Sequence, residues 1–390
     1  MNQGKYVFAQ LMSLVNHKEF TSYVDKYRGN YRVRDFTCWH QFLCMSFGQI
    51  TNRESLRDTV LCLQAHDHKL YHLGLTKGVR KSTLADANET RDWRIYAEFA
   101  QVLIKQARHL CQRDQEMAIE LDNVVYALDA TTIELCLDVF WWAKFRKHKA
   151  AIKLHTLLDV KCEIPCFIHI TDGTVHDVNV LDVIEFEAEA FYVMDRGYID
   201  WSRLYMIHLA AAYFVIRAKD NLAFERVYSQ KVDKSTGLRC DQIIRLTGYK
   251  AAKNYPEYLR RVKYYDEGHD QTYVYLTNHF EAPALQIAVL YVNRWKVEIF
   301  FKWVKQHLRI KKFWGESPNA VKTQIWIAVC TFVLVAILKY KLNSQHSLNE
   351  VLQILSVSAF DKTSVNQLLM KINTKNLDTP GSNQLTIFDL

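Results

Sequence analysis

The sequence predicts an α/β protein: a mixed sheet with helical cover, a helical region before it and a β-rich insertion within it. Three observations carry this reading. Residues 1 to about 120 repeat apolar side chains at three- and four-residue steps, as in Phe36, Trp39, Phe42, Leu43, Phe47 and Ile50 and in Trp93, Tyr96, Phe99, Ala100, Leu103, Ile104 and Ala107, which is the helical period. From about residue 122, β-branched and apolar runs separated by polar turns take over, the pattern of strands. Only 12 Gly and 5 Pro occur in 390 residues, which argues against a loop-rich sandwich, a collagenous chain or a disordered one.

In the helical region, residues 80–89 offer Ser82 or Thr83 as a cap. Residues 26–110 hold 14 Lys and Arg against 8 Asp and Glu, so +6 of the chain's net +8 lies there. A DNA-binding module or a solvated helical face accounts for this, and taken alone the solvated face is the simpler reading. Strands follow at 124–135, 151–158 and 164–171, a meander closed by Asp172 and Gly173. A helix near 179–190, a strand at 191–195, a helix over 198–211 and a strand at 213–217 complete a mixed sheet. Residues 220–279 break the rhythm with four strand-like pieces, at 224–228, 240–246, 258–265 and 272–277. Helices are expected over 285–308 and 320–340, and a flexible extension over 376–390. The expected domains are 1–120 (helical), 121–219 (first part of the core), 220–279 (β-rich insertion), 280–345 (completion of the core) and 346–390 (C-terminal helical region and tail).

Composition narrows the function. A surplus of 50 basic over 42 acidic residues, with 21 Tyr, 20 Phe and 9 Trp, suggests a polyanionic partner, nucleic acid first, though it does not separate that from an ordinary basic enzyme. The nine cysteines are odd in number and scattered in apolar runs, the pattern of reduced thiols in a cytoplasmic protein. Cys162 and Cys166 have no second pair or His at zinc-ligand spacing and read as strand residues. The N-terminus lacks a signal-peptide pattern, and the longest apolar run, 325–338, is 14 residues, short for a bilayer and better read as a buried helix. No membrane association is expected.

Two aspartates stand at or near the ends of apolar strands: Asp129 in Tyr-Ala-Leu-Asp-Ala-Thr and Asp195 in Tyr-Val-Met-Asp-Arg-Gly-Tyr. A carboxylate there is costly unless paired, bonded or bound to metal. Either one alone reads as a cap or salt bridge; two in one sheet point to a shared hard-cation site. A third carboxylate, Glu298, lies on a predicted helix that aligns Tyr291, Arg294, Glu298 and Lys305 in a stripe roughly 60° wide. Spacing alone would also suit an exposed helix face. Residues 294–312, however, hold 7 basic side chains and a single acid, Glu298.

Asp129, Asp195 and the series Tyr291-x2-Arg294-x3-Glu298-x6-Lys305 together resemble the DDE transposases of bacterial insertion sequences that carry the YREK signature. Asp195-Arg196-Gly197-Tyr198, Lys153-Leu154-His155-Thr156 and Trp295 add to the likeness, which spans roughly residues 30–370. The resemblance implies a ribonuclease H-like core in which Asp129, Asp195 and Glu298 are catalytic and hold two Mg²⁺ ions, with Mn²⁺ able to substitute. It implies that Tyr291, Arg294 and Lys305 contact DNA phosphates and that Trp295 stacks on a flipped base. The expected partners are the terminal inverted repeats, the target DNA and a second copy of the chain in a synaptic dimer. Residues 144–153, with five basic residues and no acid, would suit a DNA track. At the tail, Gln384, Leu385, Ile387 and Phe388 resemble the short peptide with which bacterial proteins bind the sliding clamp. Two alternatives stay open: a transposase-derived DNA-binding regulator, and a ribonuclease H-like nuclease without strand transfer.

Overall fold

The computed structural model describes residues 4–75, 78–113, 123–135, 138, 140–146, 149–307 and 313–371, without the side chains of 112–113, 144–149, 303, 306–307 and 371. The tail residues Gln384, Leu385, Ile387 and Phe388 lie outside the described residues. Contacts divide the chain into two compact units, one of Met1–Asp114, His307–Gly315 and Asn319–Leu390, the other of Gln115–Gln306 and Glu316–Pro318. The units therefore do not follow the order of the sequence.

The first unit opens with α1 (Val7–Met12), α2 (His17–Lys26), α3 (Cys38–Ile50), α4 (Leu56–Ala65), α5 (Lys81–Thr90) and α6 (Arg94–Arg113). Thr37 caps α3 through a capping box with His40, satisfying N–H groups that the helix itself cannot. For α5 the expected Ser82 or Thr83 cap is not used: the helix starts earlier, after Arg80, without a side-chain cap. Ile95, Tyr96, Phe99, Ala100, Leu103, Ile104 and Ala107 of α6 are all buried, as their spacing requires. Inside this core Gln41 donates to Asn88 at 2.7 Å and accepts from the Tyr96 hydroxyl at 2.8 Å and the Arg91 guanidinium at 3.1 Å. Each member of that buried network satisfies another, which is the condition for burying polar groups at all.

The second unit runs β1 (Val125–Leu135), β2 (Lys144–Arg146), β3 (Lys149–Asp159), β4 (Ile164–Asp172), β5 (Phe191–Met194), α7 (Trp201–Leu209) and β6 (Tyr213–Arg217), then β7 (Phe224–Gln230), β8 (Leu238–Leu246), α8 (Tyr249–Asn254), β9 (Leu259–Asp266), β10 (Gln271–Thr277), α9 (Ala284–Val292) and α10 (Trp295–His307). The strands form one sheet in the order β2-β3-β1-β5-β6-β10-β9-β8-β7, with β4 also paired to β3. β4, β3 and β1 are antiparallel, and β5 and β6 join β1 in parallel. That is the ribonuclease H-like arrangement. The β-rich insertion is not a separate body, because β10 pairs directly with β6 and carries the sheet on through β9, β8 and β7.

Alternation sorts the two faces. Tyr126, Leu128, Tyr192, Met194, Phe214 and Ile216 share one buried cluster with Leu204 and Ile207 of α7. The opposite parity, Val125, Ala127, Phe191, Val193 and Val215, faces the other way, and α9 packs against β5, β6 and β8–β10. The helix expected over 179–190 is absent: a short 3₁₀ turn spans Asp177–Asp182 and the rest is irregular. Tertiary bonds override the helix-forming composition there. The Tyr126 hydroxyl donates to Glu187 at 2.6 Å, the Glu187 N–H donates to the Tyr192 hydroxyl at 2.8 Å, and Glu189 takes a positive φ of 64°.

The chain then returns to the first unit with α11 (Pro318–Lys341), α12 (Leu348–Ser358) and α13 (Val365–Lys371). α11 is long and apolar enough to cross a membrane, yet 94% of its apolar window is buried within the protein, as a helix apolar on all sides should be. Cys38, Cys44, Cys62, Cys166, Cys240 and Cys330 are free thiols; Cys111 and Cys162 are disulfide-bonded, which departs from the expectation that all are reduced.

One buried ion pair ties the insertion to the approach of α9. Arg260 on β9 donates to both carboxylate oxygens of Asp241 on β8, at 2.8 and 2.7 Å, and to the carbonyls of Phe280 and Ala282. Removing one partner strands a buried charge, at a cost of about 3–5 kcal/mol. Asp241→Ala is accordingly expected to lower the melting temperature and to speed amide hydrogen exchange in β8 and β9 while leaving α6 unchanged. Unaltered exchange in those strands would contradict the anchoring role.

Candidate active site

The sheet register places two carboxylates side by side. Ala127 pairs with Val193 across the parallel β1–β5 ladder, so Asp129, two residues on, stands level with Asp195 and on the same face. Asp129 is largely buried; its Oδ1 accepts the Ala130 N–H at 2.8 Å. Asp195 follows the last residue of β5, where its Oδ1 accepts the Gly197 N–H at 2.7 Å. A Cβ at position 197 would lie 2.9 Å from the same oxygen, so a larger residue there would make the Asp195 carboxylate shift. Tyr198 is buried, and among the described residues its hydroxyl has no hydrogen-bond partner.

The third carboxylate comes from α10. The sequence predicts one helix through Tyr291, Arg294, Glu298 and Lys305; the structure has two, with a joint at Asn293 and Arg294. Asn293 causes it by turning its side chain back onto the Val289 carbonyl at 2.9 Å, while Arg294, Lys296 and Val297 make i→i−3 backbone bonds, the tighter 3₁₀ spacing. Lys296 ties the start of α10 to the β3–β4 turn through the Val160 carbonyl at 3.0 Å and Glu163 at 3.2 Å. The joint aims the Arg294 guanidinium between two carboxylates: Nη1 lies 2.9 Å from Asp129 Oδ2 and 2.6 Å from Glu298 Oε1.

Tyr291, at the end of α9, is buried with its ring 4.7 Å from that of Tyr275. The Arg294 guanidinium lies over both Tyr291 and Trp295, and Trp295 is exposed. Lys305 lies seven residues beyond Glu298 on α10 and is half-buried. In the other half of the sheet His155 is wholly buried, shares a hydrogen bond of 2.9 Å with the Thr171 hydroxyl, and has its pKa lowered by burial to about 4. Lys153 binds the Val175 carbonyl and Asp177 at 2.7 and 2.9 Å, so it serves the fold rather than an open DNA track. Residues 147–148 and the side chains of the other basic members of that stretch lie outside the described residues.

Electrostatics single out Asp129. Burial pushes its carboxyl up to about 6; the Ala130 N–H and Arg294 pull it down, and the charges of Asp195 and Glu298 push it up again. Burial and then Asp129, Asp177 and Asp195 hold the Tyr198 hydroxyl well above its ordinary value. Among the described residues, no three His, Cys, Asp or Glu side chains are gathered closely enough to hold a metal ion as they stand. The donor chemistry nevertheless fits a hard divalent cation: three carboxylates, no soft ligand, and excess negative charge that one guanidinium balances only in part. Sequence spacing did not single out Gly197 for its contact with Asp195, or Arg217, which the β5–β6 register sets level with Asp195. In hindsight each had a signal: a glycine two residues after a strand-ending Asp, and an arginine ending an apolar strand.

Comparisons with known proteins point to one family. Residues 120–334 match the family described as transposase DDE domain, and residues 3–76 match a domain of unknown function, DUF4372. A putative transposase of Sinorhizobium fredii is 32% identical over 258 residues, 65% of this chain and 70% of that protein. A probable insertion-sequence transposase of Geobacillus stearothermophilus is 29% identical over 227 residues, 58% of this chain and 59% of that one. A putative insertion-sequence transposase of Synechocystis is 23% identical over 266 residues, 66% and 71% of the two chains.

The Asp129 carboxyl gives a test of the geometry in metal-free buffer. Its folded pKa, about 6, exceeds the unfolded value of about 3.9. The folded state therefore holds the proton more tightly, and ionised Asp129 costs stability as pH rises through 6. Asp129→Asn is expected to gain on the order of 1 kcal/mol more relative to wild type at pH 8 than at pH 5, measured by thermal melts at the two pH values. Equal effects at both would mean that Asp129 is not held in this environment.

Proposed function

The chain belongs to the DDE-domain transposases, and we propose that Asp129, Asp195 and Glu298 are the carboxylates with which it cuts and joins DNA at the ends of its own mobile element. The observation that carries this assignment is that Arg294 bridges Asp129 of β1 and Glu298 of α10 while the β1–β5 register sets Asp195 level with Asp129. A DNA transposase needs acidic side chains where the scissile phosphate sits, and acids beside DNA are tolerable only with bound cations. Two Mg²⁺ ions, for which Mn²⁺ can substitute, would supply Lewis-acid activation of the attacking water or 3′-hydroxyl and stabilise the leaving oxygen.

The protein's own groups do the rest. Asp129 and Asp195, fixed level by the β1–β5 register, would hold the ions on the sheet, and Glu298 would complete their coordination from α10. The Gly197 N–H keeps Asp195 aimed. Arg294, Lys305 and the Tyr291 hydroxyl would bind phosphates on either side of the break. Trp295, exposed beside Arg294, would stack on a base turned out of the duplex if the element is released through a hairpin. The excision route we propose is cut-and-paste. The helical region of residues 1–120, with its basic surplus, would bind the terminal inverted repeats, and pairing two ends requires at least a dimer on DNA. The tail around Gln384, Leu385, Ile387 and Phe388 would reach the sliding clamp, a reading that rests on its sequence. Work on DNA would put the protein in the bacterial cytoplasm, at the nucleoid when bound.

The test is a plasmid carrying the intact element, purified protein and Mg²⁺, with products mapped at nucleotide resolution. Wild type is expected to cut at both element ends and join them to target. Glu298→Gln is expected to bind the ends within about two-fold of wild type yet cut at least 10³-fold more slowly, about 4 kcal/mol of transition-state stabilisation. Binding without cutting by the wild type would favour a regulator; cuts without strand joining would favour a simple nuclease.

A further inference from the structure

We propose that Arg217 is a phosphate-positioning residue of this site, holding a backbone phosphate of the DNA strand that passes Asp195. The proposal rests on the transposase reading above. It starts from the sheet register. Val193 on β5 pairs with Val215 on β6, so Asp195 and Arg217, each two residues on, stand level on adjacent strands. With Asp129 already level with Asp195, the three form one row on one face, and the row continues to Tyr275, the partner of Arg217 on β10. The ring of Tyr275 lies against that of Tyr291. The Tyr291 hydroxyl accordingly feels Arg294, Asp195 and Arg217 together.

The second observation is the missing counter-ion. Two arginines that shape this part of the fold have one: Arg294 holds Asp129 and Glu298, and Arg260 holds Asp241. Among the described residues Arg217 is half-buried and has no carboxylate within ion-pair distance. Its specific side-chain contact among the described residues is the Tyr273 ring, 5.2 Å from the guanidinium. A ring face orients a guanidinium without neutralising it. The planar fork is left free to take an anion, and phosphate matches its geometry.

The surroundings fit a strand of phosphates rather than a single small anion. Arg196, next to Asp195 in sequence, and Lys219, two residues beyond Arg217, line a shallow cavity of about 450 Å³ with Gly197, Asp220 and Asn221. The acid there, Asp220, is fully exposed and only 3.9 Å from Arg196 at the nearest approach. Three cations thus continue outward from Asp195 past the ends of β5 and β6, where a DNA backbone leaving the carboxylates would run.

The experiment uses the full chain, Mg²⁺-free, with duplexes of the element end carrying one neutral methylphosphonate at successive positions. Wild type is expected to lose affinity at a small set of positions near the cleavage site. In Arg217→Ala, the penalty at one of those positions is expected to vanish while the others persist. Overall affinity should fall roughly ten-fold and the slope of log affinity against log salt should shrink by about one. A merely structural role would not erase a single position. Arg217→Gln, which removes the charge but keeps a polar side chain with part of the aliphatic stem, serves as the companion if Ala lowers the melting temperature. An Arg217→Ala profile identical to that of wild type would overturn the role of Arg217 alone. A wild-type profile with no sensitive position near the cleavage site would overturn the reading of the active site itself.

Discussion

Negative charge that the fold cannot neutralise by itself is the constraint around which the second unit is built. Asp129 and Glu298 meet on a single guanidinium, Arg294, with contacts of 2.9 and 2.6 Å, while Asp195 stands level with Asp129 on the next strand. One cation for three carboxylates leaves Asp129 with its pKa raised to about 6 by burial and by its neighbours' charges. Such an arrangement costs stability, and it persists because rigid elements hold each group: a parallel ladder for the aspartates and a jointed pair of helices for Arg294 and Glu298. Strain of this kind is typical where a polar site is kept ready for a ligand of opposite charge.

The details of the backbone follow from that requirement. A continuous helix would set Tyr291, Arg294 and Glu298 on one face by rotation alone. The joint at Asn293 shortens the spacing and lets α9 cover the sheet while α10 carries Glu298 to it. Lys296 fixes the start of α10 on the β3–β4 turn, and Arg260 fixes the chain entering α9 onto the insertion. The insertion thereby does more than interrupt the core. By extending the sheet beyond β6 it supplies Tyr275 as the platform for Tyr291 and Tyr273 as the platform for Arg217.

Much of the fold could be read from the amino acids because its strands obey simple rules. Alternation and β-branching located every strand but the short β2 to within a few residues, and apolar spacing located α3, α6 and α11. What the sequence hid was settled by tertiary hydrogen bonds. Residues 179–190 have the composition of a helix, but Glu187 is claimed by Tyr126 and Tyr192. The helix joint depends on one Asn side chain bonding its own backbone, which periodicity does not register. For the site, the spacing from Tyr291 to Lys305 brought Glu298 forward, and the strand ends brought forward Asp129 and Asp195. Arg217 stayed hidden because its significance lies in register, a relation between strands far apart in sequence. The bridging role of Arg294 stayed hidden for the same reason: its partner Asp129 is 165 residues away.

The central claim is that Asp129, Asp195 and Glu298 share a divalent-metal site. Metal-directed cleavage of the polypeptide tests it most directly: Fe²⁺ replaces Mg²⁺, ascorbate and peroxide generate hydroxyl radicals at the ion, and the cut sites are mapped by mass spectrometry. Cuts clustered near residues 129, 195 and 298, all suppressed by excess Mg²⁺, are the expected result. Cuts at only one of these segments, or a pattern indifferent to Mg²⁺, would contradict a shared site.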